Sequence, residues 1–311
     1  MNTQYSIKFF LIAFIILFSG QSIAQVAPNQ DKKLKKGAVI SQTAQKPKIV
    51  TVTTTQQFLD AIASNTTIQL KGHSFYISDV ANPNNSSENY NFREVYDGYE
   101  LLIHDVKNFK IIGLGKNPVR LYTKPDYGNV IAFNNCDNVT IENVDAGHGA
   151  SKGSCVGGVF KIENTKNFYI KNTIMYGSGI EGITTDNVTN LVCTNSFIRS
   201  CTYSIMTLTG SKNIRFENCV FEDNKEYDLV NITSCSNVSF KNCFFEKNRT
   251  SESTSYSDYS VFKVTESSKI ALEGCFVEAN AADYLCNDEK SLILKNTEVN
   301  HNDFTKGKFK K

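Results

Sequence analysis

The sequence lacks an excess of charge of either sign. Its 311 residues set 33 Lys and Arg against 31 Asp and Glu, a formal net charge of +2, and so near-neutral a chain has no overall field to attract nucleic acid. It also lacks a long apolar run. The longest covers residues 9–18, too short to span a bilayer comfortably. Lys8 precedes that run and Ser22-Ile23-Ala24 follows it, a small-x-small site cut before Gln25, so residues 1–24 read as a secretory signal peptide. No cysteine follows the cut, which gives no reason to expect lipid attachment or membrane insertion there. No CxxC pair occurs among the nine cysteines, so a thiolate metal centre is not expected. Residues 25–50 are polar, with Lys32, Lys33, Lys35 and Lys36 close together, and read as a solvated linker. An exported protein, periplasmic or extracellular, is the expected product.

What the chain does have is one returning phrase: Asn, apolar, any, apolar, usually charged, Asn. It reads Asn138-Val139-Thr140-Ile141-Glu142-Asn143 and returns at Asn167–Asn172, Asn190–Asn195, Asn213–Asn218 and Asn237–Asn242. It weakens at Lys269–Gly274 and Ser291–Asn296. The closing positions lie 22 to 32 residues apart, a solenoid period. Within each phrase apolar and polar residues alternate, which is the side-chain period of a strand. Stacked as parallel strands, the phrases align Ile141, Ile170, Cys193, Phe216, Phe240, Leu272 and Leu294 in a buried row. The outward row reads Glu142, Lys171, Thr194, Glu217, Lys241, Glu273 and Lys295, an order that avoids like-charge stacking. The closing Asn row suits a left-handed turn and hydrogen bonds along its length.

Two more apolar runs follow in each repeat, for example Cys219-Val220-Phe221 and then Leu229-Val230-Asn231-Ile232. Three strands per coil predict a single-stranded parallel β-helix. The pattern resembles the right-handed parallel β-helix proteins of the pectate-lyase-like superfamily, above all its uncharacterised exported bacterial members, over residues 51–300. The resemblance implies an all-β solenoid entered through an N-terminal amphipathic capping helix, for which Phe58, Leu59 and Ile62 form one face. Residues 78–97 are expected as a long loop and residues 301–311 as a basic, unpatterned tail.

Cysteine shares its positions with Ser and Thr. Cys219, Cys243 and Cys275 alternate with Thr173, Ser196 and Thr297, and Cys136 and Cys235 with Thr165 and Ser211. Small buried ladder residues are expected there, although coil spacing also permits a disulfide.

The repeat breaks over residues 145–181, where Asp145, His148, Cys155, Tyr176 and Glu181 stand among glycines. In coil alignment Asp145 falls in a row otherwise made of Ile174, Phe197, Val220, Phe244 and Phe276. The next outward row reads Gly147, Tyr176, Arg199, Glu222, Glu246 and Glu278. Asp145, His148, Tyr176 and Arg199 are therefore candidate catalytic residues, and Cys155, Glu181, Glu222 and Glu246 candidate substrate-binding residues.

Gly147-His148-Gly149 is similar to the Gly-His-Gly piece of polygalacturonase-like glycoside hydrolases, but the accompanying paired acids have no counterpart at suitable spacing. Calcium-dependent lyases gather acidic oxygens on adjacent coils; here Glu222 and Glu246 have Arg199 and Tyr176 beyond them, so no cofactor or metal is assigned. Two functions stay open: an exported protein that binds or processes polysaccharide on its lateral face, by lyase-like or hydrolase-like chemistry if enzymatic, and a non-catalytic module for cell-surface glycan.

Overall fold

The computed structural model describes residues 46–149, 156–177, 179–252, 254 and 257–310. The expected signal peptide, nearly all of the linker and Cys155 lie outside them. Each Asn-centred phrase forms one strand, because its alternating apolar residues have a core to face. Among the described residues these strands lie side by side in a first sheet of ten, from Lys48–Val52 to Leu292–Lys295. The short runs after the closing Asn make a second sheet of nine, from Ser74–Tyr76 to Glu298–Asn300. The third runs make a third sheet of ten, from Tyr90–Val95 to Asp303–Phe309. Pairing is parallel from coil to coil, with one antiparallel hairpin, Tyr90–Val95 against Gly98–His104.

The register places Ile141, Ile170, Cys193, Phe216, Phe240, Leu272 and Leu294 directly over one another. All but Leu294 are buried. Phe216 and Phe240 stack at 5.0 Å, and Phe221 and Phe245, pointing inward from the second sheet, lie 4.7 Å apart. Removing any one of these rings would cost about 3–5 kcal/mol in transfer and cavity energy.

Left-handed backbone recurs at four places in the coil, three of them built on Asn and the fourth on Ser200, Asp223, Lys247 and Ala279. The closing Asn row has it, at φ 56 for Asn143 and 48 for Asn172, and so does the opening row, from Asn138 at 58 to Asn213 at 58. A third row, Asn135, Asn164 and Asn187, shares it. Asn tolerates this region better than other chiral residues, because its side chain bonds locally. The longest amide ladder belongs to the opening row: Asn190 donates to Asn167 at 3.0 Å, Asn213 to Asn190 at 2.9 Å and Asn237 to Asn213 at 2.9 Å. The closing row is looser, with 3.3 Å between Asn218 and Asn195.

The shared cysteine positions follow one rule. Ser196 and Thr173 hydroxyls donate to the carbonyl two residues back, at 2.8 and 2.9 Å. The thiols of Cys219 and Cys243 do the same at 3.4 Å. Cys136, Cys193, Cys219, Cys235, Cys243, Cys275 and Cys286 are buried free thiols.

Two expectations need correction. Residues 78–97 are not loop throughout, since Tyr90 and Phe92 bury their rings and the strand Tyr90–Val95 forms. The basic C-terminus does not fray: Asp303–Phe309 pairs with Ala281–Cys286, and Asp258 holds both Lys306 and Lys310. In the outward row of the first sheet, no ion pair joins vertical neighbours among the described residues. Glu217 pairs within its own strand, with Arg215 at 2.9 Å. The entry helix, Thr55–Asp60, is capped by the Thr54 hydroxyl and buries Phe58 and Leu59.

Candidate functional site

Strand alternation decides which residues of the irregular coil meet. In the strand Val144–His148 the side chains of Val144, Ala146 and His148 point inward and are buried. Asp145 and Gly147 face outward on the second sheet. Asp145 lies between Arg120 and Ile174 in the vertical register, and Gly147 between Tyr122 and Tyr176. Tyr176 is followed by Arg199, then Glu222, then Glu246.

Gly147 lets the backbone of the next coil come close. A side chain there would begin 2.4 Å from the Tyr176 carbonyl, so the position stays bare and leaves a notch between two tyrosines. Asp145 forms the back of that notch. Its Oδ2 accepts from the Tyr122 hydroxyl at 3.2 Å, and its Oδ1 is buried without a hydrogen-bond partner. Arg199 lies over the Tyr176 ring at 5.4 Å, and its Nε is likewise buried without a partner. Burial pushes the Asp145 carboxyl above the usual carboxylate range, against the Tyr122 hydrogen bond and the charges of Arg199 and Arg120. Burial, and then the Asp145 charge, push the Tyr122 phenol up to about 12.

The notch opens into a groove along the sheet. One depression of about 480 Å³ is lined by Arg120, Tyr122, Asp145, Tyr176, Arg199 and Glu222. It shares Arg120 and Asp145 with another of about 640 Å³, which adds His73, Lys116 and Ile174. Farther along the row that begins at Asp145 the side chains come out to solvent. Phe197, Phe244 and Phe276 are each more than a third exposed, and the last two rings stack at 5.0 Å.

Of the residues expected at the site, the fold brings together Asp145, Tyr176, Arg199 and Glu222. Glu246 stands one coil beyond Glu222 on the same row. His148 does not join them. It points to the opposite side of its strand, where Nε2 meets the Gly128 carbonyl at 2.7 Å and burial lowers its pKa. Glu181 is also withdrawn from the groove. It is buried just before the third-sheet strand Ile183–Asp186, its Oε1 accepting from Thr184 at 2.6 Å and its Oε2 from Ser204 at 2.9 Å. Both oxygens are occupied by the protein itself, and burial raises the carboxyl pKa. Arg120 and Tyr122 are among the groove residues that sequence reading missed. Their strand, Val119–Thr123, follows the inserted turn 114–118, which hides its alignment with the Asn phrase, although Val119-Arg120-Leu121-Tyr122 alternates as the other strands do. Among the described residues no group of three or more His, Cys, Asp or Glu is arranged to hold a metal ion.

Comparison with solved structures gives the same architecture. A pectate lyase from Paenibacillus sp. 0602 superposes with a TM-score of 0.54 at 9% identity, covering 77% of this chain and 72% of that one. A pectate lyase bound to a hexasaccharide gives 0.52 at 11% identity, with 83% of each chain covered. A surface adhesin of Streptococcus pneumoniae gives 0.45 at 11%, covering 84% of this chain and 80% of that one. At such identities the likeness shows the fold alone. No curated protein matches the sequence. A family model described as "Right handed beta helix region" matches residues 104–259, half of the chain. With the three-sheet coil observed over the same residues, the chain belongs to the right-handed β-helix family.

Proposed function

We propose that this protein binds a polysaccharide lengthwise along the outer face of its second sheet, with Asp145 and Arg199 as the polar anchors. One observation carries the reading. Among the described residues, Asp145 Oδ1 and Arg199 Nε are the buried side-chain polar atoms without a partner, and they line the same groove. An unmet buried polar group costs about 1–3 kcal/mol; both atoms are shielded from solvent as the side chains stand, so a sugar hydroxyl relieves that cost, donating to the first or accepting from the second, only when the two side chains turn toward the groove. The exposed row of Phe197, Phe244 and Phe276 offers apolar surface to the carbon faces of further sugar units. Pectate lyases built on this fold, one of them bound to a hexasaccharide, support the ligand class. The sequence of residues 1–24 supports export to where such chains are met.

Binding without hydrolysis fits the groove better than hydrolysis. Within the groove lining, Glu222 stands three strands from Asp145, roughly 14 Å at about 4.8 Å per strand. That is wider than the roughly 5–9.5 Å that separates paired glycosidase carboxyls. Tyr122, held near 12 and donating to Asp145, is a poor base at neutral pH.

Calorimetric titration of the full chain with pectate, alginate, xylan and mannan, alongside assays for unsaturated and reducing ends, tests the proposal. Saturable binding that weakens at least tenfold in Arg199→Ala and in Asp145→Ala, with no product, is expected. Absence of binding across the panel, or binding indifferent to both substitutions, refutes it; product release replaces the binding module with an enzyme.

A further inference from the structure

A second aromatic seam runs along the corner where the second sheet turns into the third, away from the groove. Tyr203, Tyr227 and Tyr259 occupy successive coils, with ring centroids 5.5 and 5.8 Å apart. Backbone hydrogen bonds continue the line: Tyr203 N–H reaches Ile180 O at 3.2 Å and Ile180 N–H reaches Gly157 O at 3.3 Å. At its far end the rings of Tyr96 and Tyr127 meet at 4.9 Å. Several members are well exposed, Tyr227 at 49% and Tyr96 at 87%. An exposed apolar row of this length on one edge marks an interaction site. Packing does not require it, because the core beneath is already closed by Ile205, Leu229 and Val261, all buried.

We infer that this corner is a second binding site, for an uncharged glycan lying along the solenoid axis. Ring size and spacing argue for sugar. Over three successive coils Tyr203, Tyr227 and Tyr259 repeat at a distance close to the length of one pyranose unit, so three consecutive sugars each meet a ring and a phenolic hydroxyl. Charge argues for a neutral chain. On the adjacent row of the third sheet stand Lys161, Thr184, Thr207, Asn231 and Lys263. Both lysines are committed, Lys161 to Glu163 at 3.0 Å and Lys263 to Asp228 at 2.8 Å. Hydroxyl and amide groups remain to meet sugar hydroxyls, and across the seam Lys225 is followed directly by Glu226. The groove differs in kind, since Arg120, Arg199 and Lys116 give it a cationic half.

The chain contains no tryptophan but 14 tyrosines, so near-ultraviolet emission is tyrosine emission, and the Tyr227 variants assign any change in it to the seam. Titrating the full chain with neutral xylo- and cello-oligosaccharides is expected to change that emission saturably. Tyr227→Ala should weaken the affinity at least tenfold, and Tyr227→Phe, which keeps the ring, should lose less than threefold. Groove affinity for the ligand found by calorimetry should be unchanged in Tyr227→Ala, which also certifies that the variant folds. No saturable binding of either neutral series, or full binding by Tyr227→Ala, overturns the inference. Loss of neutral-sugar binding in Arg199→Ala alone places the sugar in the groove and overturns it equally. Because the seam and the groove have separate variants, either site can fail without the other.

Discussion

Replacing Asn248 by alanine should destabilise the fold more than truncating a buried side chain of its size suggests. Asn248 is buried between the second and third sheets, in a column with Asn224, Asn280 and Asn302. Its Oδ1 accepts from the Asn224 backbone N–H at 3.0 Å and from Asn224 Nδ2 at 2.9 Å. Its Nδ2 donates to Phe221 O and to Asn280 Oδ1, both at 2.9 Å. After substitution Asn224 Nδ2 keeps Ile198 O, and Asn280 Oδ1 keeps the Asn248 N–H. The Asn224 backbone N–H keeps nothing in the ladder. One orphaned buried donor costs about 1–3 kcal/mol, and the weakened partners add about 1 kcal/mol each at most, so a loss of about 2–5 kcal/mol is expected, at the upper end for single substitutions. Urea unfolding followed by circular dichroism, with the slope checked for loss of cooperativity in a repeat fold, measures it. Cys243→Ser is the control: serine already fills that slot at Ser196 with the same hydrogen bond, and less than about 1 kcal/mol should be lost. If Asn248→Ala lies within about 0.5 kcal/mol of the parent, the buried amide column is not what holds this corner.

Other outcomes follow from the same coordinates. Gly147→Ala must move the Tyr176 backbone, because the new carbon would start 2.4 Å from its carbonyl; a lower melting temperature and loss of groove binding are expected, and a parent-like melt would refute the notch. The thiols of Cys219, Cys243 and Cys275 are held up by neighbouring thiols and burial, Cys243 to about 12, so the native protein should resist iodoacetamide at pH 8 until urea opens it. Rapid native labelling of those three would contradict their placement. Asp145 binds its proton more tightly folded than unfolded, so the ionised carboxyl costs stability above its folded pKa. Asp145→Asn should therefore raise the melting temperature at neutral pH, with the gain shrinking as pH falls toward the unfolded value of 3.8. A gain that grows on acidification would reverse the sign of the argument.

The coil was legible because one physical constraint, a parallel stack, repeats the same choice at the same place. Ile141, Ile170 and Phe216 share a row in the sequence because they share a row in space. The ends were harder to read for the converse reason. Asp303–Phe309 carries lysines on its outer side and passes a register shift between Ala282 and Tyr284, so its alternation is broken where the eye would look for it. Tyr90–Val95 pairs antiparallel with its own hairpin partner rather than with a neighbouring coil, and repeat alignment cannot find it.

The site divides along the same line. Coil alignment set Asp145 one row from Tyr176 and Arg199, and the registers Asp145 to Ile174 and Tyr176 to Arg199 are those found. His148 was placed with them by proximity in sequence, yet it is three residues from Asp145, and an odd offset in a strand sends two side chains to opposite faces. The same parity argument, applied to Gly147, exposes the bare position between Tyr122 and Tyr176. The chemistry of the groove comes from tyrosines and arginines contributed by neighbouring coils. Glu181 shows the limit of parity alone. It lies outside the strands, and only the Thr184 and Ser204 hydroxyls that close on its two oxygens reveal that a carboxylate so near the glycine-rich turn serves the wall of the solenoid instead of the groove.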